Sequence, residues 1–225
     1  LTVIAIIGIL AGILIPTLGK VQDIANKATS SANMKTIAVS YATYTSSGGR
    51  VRTLTKSKME ADKDITLKGT AGVAQFLAKQ TELIDASIWI IGADPAVALY
   101  PEQMPEIVGF RNEQNAFKTS PNWTQEVPVG YDFAVGVNGS SPASTTPLLW
   151  TRGLKTGGDG AGTWSKSTPW GLGGHIAFLD GHVSFYKELG VEDGQLVNPS
   201  NGVLTSSMTD IHPAENIMTA PSFSN

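Results

Sequence analysis

LTVIAIIGILAGILIP, residues 1–16, is the stretch on which the reading of the whole chain turns. It holds no charge and one polar side chain, Thr2, and as a helix it would be apolar on every face. Such a helix belongs in lipid or inside an assembly. At ~1.5 Å per residue, Leu1 to Ile15 covers roughly 22 Å, about five residues short of a hydrocarbon core of ~30 Å. The segment is therefore either a buried core helix or part of a longer apolar helix that begins before Leu1. A cleaved signal peptide would be followed by an unrelated mature sequence, whereas beyond Pro16 the same helix continues.

Working outward, apolar positions thin after Pro16 to Val21, Ile24, Ala25, Ala28 and Ala32, then Ile37, Ala38, Tyr41 and Tyr44, with Gln22, Asp23, Lys27, Lys35 and Thr36 on the other side. Steps of three and four define one stripe of an amphipathic helix. Ser46-Ser47-Gly48-Gly49 ends it with turn-forming residues. The predicted organisation is an amino-terminal helix over 1–47, its first sixteen residues for a membrane or filament core, and a globular head over 48–225. Ile24, Ala28, Ile37 and Tyr41 are expected to pack on the head. Gly8 and Gly12 have the small-xxx-small spacing that lets helices approach closely, which marks Ile4, Ile7, Gly8, Leu10, Gly12, Leu14 and Pro16 as candidate assembly residues. Pro16 removes the amide partner of the Gly12 carbonyl and the two glycines weaken the same turn. In a packed filament, part of 9–15 is therefore expected to leave the helix, with helix resuming at Pro16.

Further along, residues 50–64 are charged and aperiodic and read as a solvent-facing loop, and Thr70 is placed to cap a short helix over Ala71–Gln80. Ala86–Ile91 has strand composition, and the proline-containing stretch from Ala96 to Glu126 reads as an irregular insertion. Strand signals cluster at Gly130–Val137 and Leu148–Thr151, and a polar, weakly patterned segment from Val191 to Asn225 reads as an extended tail over the surface.

HIAFLDGHVSFY, residues 175–186, is the clearest local signal after the amino terminus. Asp180-Gly181 suits a two-residue type I′ turn, which would pair Phe178 with Val183 and Ile176 with Phe185. Ile176, Phe178, Val183 and Phe185 would then share one apolar face. His175 and His182 would share the other at opposite ends, roughly 13 Å apart at ~3.3 Å per residue, too far for one metal ion. The Gly157–Gly162 loop offers Asp159 and several carbonyls to Ca²⁺, although a plain surface loop is the simpler reading. The expected fold class is α+β: a long helix packed on a small antiparallel sheet formed by residues 130–137, 148–151 and 175–186.

Composition narrows the function. Of 225 residues, 16% are charged and the net charge is −3, so no basic surface exists to neutralise phosphates and nucleic acid is not an expected partner. There are no cysteines and three histidines, and Gly-x-Ser-x-Gly, His-Glu-x-x-His and phosphate-loop motifs are all missing, so no catalytic set is assigned.

LTVIAIIGILAGILIP, with Ile4-Ala5-Ile6-Ile7-Gly8-Ile9-Leu10-Ala11 followed by Pro16, resembles the amino-terminal segment of bacterial type IV pilins and type II secretion pseudopilins. Residues 28–50, ATSSANMKTIAVSYATYTSSGGR, resemble the amphipathic continuation of that helix. The hairpin resembles a carboxy-terminal signature of a pilin-like group, in which a His precedes the Asp-Gly with nine residues between them; Trp170 occupies that place here. The Phe, Thr and Glu of the family's processing region have no counterpart in these residues, so none is assigned that role. The resemblance implies a structural subunit stored in the bacterial inner membrane, handled by pilus or secretion machinery, and assembled as a homo-oligomeric helical filament at the cell surface or in the periplasm. The competing expectation is a membrane-anchored envelope enzyme or ligand-binding module. A plain anchor needs no helical continuation beyond it and usually precedes a flexible linker.

Overall fold

The computed structural model describes residues 2–47, 51–190 and 194–221. Helix α1 runs from Thr2 to Ser46 without a break, through Gly8, Gly12 and Pro16. Over residues 2–18, side chains are described only for Val3 and Ile7. The proposed exit at Gly48-Gly49 lies outside the described residues. Near the end of α1, the Thr45 carbonyl accepts from the Arg52 amide at 3.1 Å. This satisfies one of the carbonyls a helix terminus leaves open.

The region after α1 is more ordered than its charge suggests. Helix α2, Lys56–Ala61, falls in the segment expected to be a loop, with the Thr55 hydroxyl accepting from the Lys58 amide and Met59 buried. Met59 and Ala61 alone among six residues give no helical period to read. Helix α3, Gly69–Thr81, buries Val73, Phe76 and Leu77 as expected, but Thr70 lies inside its first turn. The Thr70 hydroxyl donates instead to the Met218 carbonyl at 2.8 Å. The strand expected over Ala86–Ile91 is a 3-10 turn over Ala86–Trp89, because Asp85 accepts from the Ser87 amide and starts a turn. The irregular insertion contains helix α4, Pro95–Leu99, and a hairpin of β1, Gly109–Arg111, with β2, Phe117–Thr119.

The central sheet is antiparallel, in the order β6-β5-β4-β3-β9, from strands β3 Tyr131–Ala134, β4 Pro147–Thr151, β5 Gly174–Phe178, β6 Val183–Tyr186 and β9 Ile217–Met218. Its register puts Tyr131, Phe133, Leu149, His175, Ala177, Val183 and Phe185 on one face and Asp132, Trp150, Ile176, Phe178 and Ser184 on the other. Helix α1 covers the first face, where Tyr41 meets Phe133 edge to face at 5.4 Å. Residues of the expected extended tail cover the second. The His212 ring stacks on Trp150 at 6.4 Å, and its Nε2 donates to the Pro147 carbonyl at 2.8 Å. Within the same segment, β7, Leu196–Val197, pairs with β8, Leu204–Thr205, and β9 pairs with β3. Strands of two residues leave no alternation to read, so a structural layer looked like a tail. Residues 191–193 and 222–225 of that segment lie outside the description.

The hairpin register differs from expectation by one residue. Phe178 donates to the His182 carbonyl at 3.0 Å and Gly181 to the Phe178 carbonyl at 2.9 Å, so Leu179-Asp180-Gly181 is a three-residue loop. Gly181 has φ of 86°, a left-handed position that glycine fills without a steric penalty. Tertiary bonds select this loop: Leu179 donates to the Thr146 carbonyl and Asp180 to the Ala143 carbonyl, at 3.0 and 3.1 Å. A one-residue slip moves side chains to the other face. Phe178 and Phe185 therefore lie on opposite faces, as do His175 and His182, which corrects the shared apolar and histidine faces inferred above.

Candidate assembly helix

The two ends of α1 have different surroundings. Every described residue from Val3 to Ala25 is exposed, including Val3 at 65%, Ile7 at 59%, Val21 at 61% and Ile24 at 68%. Burial begins at Ser30 and continues through Met34, Ile37, Ala38, Tyr41, Tyr44 and Thr45. Ile37 and Tyr41 therefore pack as expected, while Ile24 and Ala28 do not. The reason lies in the spacing. Ala32 to Ile37 is a step of five, which at 3.6 residues per turn rotates the stripe by about 140°. The head thus takes up the stripe that runs back from Ile37 through Met34 to Ser30. Ser30 is tolerated there because its hydroxyl shares a 3.3 Å hydrogen bond with the Tyr131 hydroxyl. At the next contact the Tyr41 hydroxyl donates to the Val137 carbonyl. Burial pushes the ionisation of both tyrosines well above the usual phenol range, so both stay neutral.

Lys27 marks the boundary between the two ends. Its ammonium lies over the Phe185 ring at 4.3 Å and near Trp170 at 5.9 Å. Beneath it His175 meets Trp170 and Phe185 edge to face, at 5.8 and 5.1 Å. Burial, and then the nearby Lys27 charge, push the His175 imidazole down to about 4, so it is neutral at physiological pH. Phe185, expected in the core, is 37% exposed because it forms the outer wall of this clamp, whereas Ile176 and Phe178 are buried and Val183 is partly so. Lys27 looked like an ordinary residue of the polar face in the sequence, and only the shifted hairpin register brings Phe185 beneath it.

The remaining sequence candidates have structural surroundings. His182 Nδ1 lies 2.6 Å from Asp180 Oδ1 and its ring stacks on Phe178. In the Gly157–Gly162 loop the Lys155 ammonium donates to the Asp159 carbonyl, which sets a positive charge against the expected calcium position. Among the described residues no three His, Asp or Glu side chains cluster to hold a metal ion. Asp94 accepts from Arg152 Nε at 2.5 Å and also caps α4 through the Ala96 amide. Asp132 is fully buried on the second face of the sheet, and burial raises its carboxyl to about 6 despite the Ala220 amide it accepts from.

The candidate assembly residues Ile4, Gly8, Leu10, Gly12, Leu14 and Pro16 lie on α1, but their side-chain environment falls outside the described residues. Among the described residues no helix is long and apolar enough to cross a membrane. No family model matches the chain, and neither a characterised protein nor a solved structure does.

Proposed function

We propose that this chain is a structural subunit of a helical filament, of the type IV pilus or type II secretion pseudopilus kind, assembled through the amino-terminal part of α1. The observation that carries this reading is the exposure of every described residue of α1 from Val3 to Ala25 (Val3, Ile7 and 19–25), on a helix whose later part, from Ser30, is buried in the head. An apolar helix held out rigidly from a folded head requires cover, and lipid before assembly and other copies afterwards both supply it. A plain anchor joined by a flexible linker would not need the continuous helix that links the two parts. On this reading the role is structural rather than enzymatic. Storage in the inner membrane and export by a dedicated assembly machinery follow from the resemblance at residues 1–16.

Negative-stain microscopy of material sheared from cells expressing the full chain tests the proposal. Filaments that disappear with Gly8→Leu or Gly12→Leu, while the head keeps its unfolding temperature, are the expected result. A monodisperse monomer with no filament under any condition would refute it.

A further inference from the structure

Strand β5 runs alongside α1 in the same direction. His175, near its start, lies beneath Lys27, and Gly181, past its end, lies against Lys35 and Val39 of the helix. The segment that leads into β5 and the residues that leave β6 therefore form the pole of the head that faces the amino-terminal half of α1. At that pole the chain turns tightly. Gly171 donates to the Thr168 carbonyl at 3.1 Å and Leu172 to the Trp170 carbonyl at 2.7 Å. Gly173, at φ 93°, packs so closely on the end of β6 that a Cβ there would stand 2.5 Å from the Tyr186 carbonyl oxygen. Leu172 is thus held at the tip of the turn, 65% exposed, with the Trp170 and Phe185 rings behind it on either side of His175. From His175 back to Leu172 is up to ~10 Å at ~3.3 Å per residue, which on the helix corresponds to about seven residues at ~1.5 Å each. The tip therefore reaches the level of Lys20, and residues 1–19 carry no charged side chain.

Resting on the reading that the chain is stored in a membrane before assembly, we propose that this pole of the head docks on the bilayer surface. Leu172 and Trp170 meet the boundary between headgroups and acyl chains, and Lys20, Lys27 and Lys187 meet the lipid phosphates. Position selects the occupant. With residues 1–19 in the hydrocarbon, Lys20 stands at its edge and the tip stands beside the helix at the same depth. Aromatic rings concentrate at this depth because they join an apolar body to a polar end, and lysines there extend their ammonium groups to the phosphates. Trp170, Phe185 and Tyr186 beside Lys27 and Lys187 have that composition. Asp23 and Glu188 are exposed at the same pole and offset part of its charge, so the apolar tip supplies most of the attachment and anionic lipid adds to it. Two contacts, α1 and the tip, then fix the tilt of the head on the membrane where a helix alone would leave it free.

The chain has no cysteine, so one introduced thiol carries one probe. Full-length Leu172→Cys and a reference, Val39→Cys, are to be labelled with a nitrobenzoxadiazole fluorophore. Each is reconstituted into vesicles of phosphatidylethanolamine and phosphatidylglycerol, with and without a lipid that carries a nitroxide near the top of its acyl chain. Val39 is 51% exposed and lies roughly 28 Å beyond Lys20 along the helix. The expected result is nitroxide quenching at residue 172 at least threefold that at residue 39, with the unfolding temperature of the unlabelled head retained. Vesicle-bound chain in which the two labels are quenched equally overturns the inference and leaves membrane storage standing. A residue 172 label that is unquenched in vesicles but shielded in the polymer also overturns it, and assigns the tip to a neighbouring copy. A chain that fails to float with vesicles on a density gradient overturns the storage reading itself, and this contact with it.

Discussion

Helix α1 is one element with two environments. From Ser30 to Thr45 it is held by the head through Met34, Ile37, Tyr41 and Tyr44, and from Val3 to Ala25 its described residues are exposed. The apolar side chains are similar in kind on both sides of that boundary, yet among the described residues only those of the later side are buried in the head. In a lone domain, exposed Val and Ile along several helical turns oppose solubility. They stabilise only when another surface covers them, at roughly 25 cal/mol per Å² of apolar area removed from water. On the filament reading proposed above, the later half contributes to folding and the earlier half to assembly, and substitutions in the two halves should separate these properties.

The largest expected effect is on the buried side. Tyr41→Ala should cost about 3–5 kcal/mol of head stability, since it empties a fully buried site and leaves the Val137 carbonyl without its donor. Denaturant unfolding of the full chain in detergent measures it. A matched pair comes next: Ile37→Ala should cost about 2–4 kcal/mol, while Ile24→Ala should change head stability by less than about 0.5 kcal/mol. Equal costs for the two would break the distinction between the halves.

A smaller effect concerns pH at the boundary. His175 has a folded pKa of about 4 against an ordinary value of 6.5, so its contribution is complete above pH 6.5 and is lost as pH falls toward 4, by about 3 kcal/mol at most. His212, also lowered by burial, acts with the same sign. Asp132 has the opposite sign: raised from 3.8 to about 6, its contribution is complete below pH 3.8 and is lost as pH rises through 6. His175→Gln should therefore reduce the loss of stability between pH 6.5 and 4, read from unfolding midpoints across that range. An unchanged pH slope would place the titrating group elsewhere. The smallest effect is Lys27→Ala, which should cost about 0.5–1 kcal/mol through loss of the cation–π contact. It should also raise the His175 pKa, measurable by NMR titration of the imidazole.

Much of this architecture was legible in the chain because it rests on long or strongly periodic signals. Helices α1 and α3 carry periodic apolar positions, and strands β3 and β4 and the β5–β6 hairpin carry strand composition beside turn residues. What was not legible depends on contacts distant in sequence. The hairpin register is decided by the Thr146 and Ala143 carbonyls, some thirty-five residues before the turn, rather than by Asp180-Gly181 alone. The layer over the second face is built from two-residue strands and 3-10 turns, too short for periodicity to mark. The packing stripe was in part readable and was misread: the step of five from Ala32 to Ile37 already separates two faces of the helix. In the candidate assembly segment, residues 1–16 stand out in the sequence by their lack of charge. The Lys27 clamp arises only once the shifted hairpin is seated on α1.

A three-dimensional reconstruction of the assembled polymer, at a resolution that traces α1, tests the central claim most directly. The account predicts that Val3 and Ile7 of each copy are buried against neighbouring copies. It also predicts that part of residues 9–15 has left the helix found in the single chain, and that helix resumes at Pro16, because neighbouring helices shield backbone groups freed around Gly8, Gly12 and Pro16. A polymer held together by heads alone, with Val3 and Ile7 facing solvent, would contradict it.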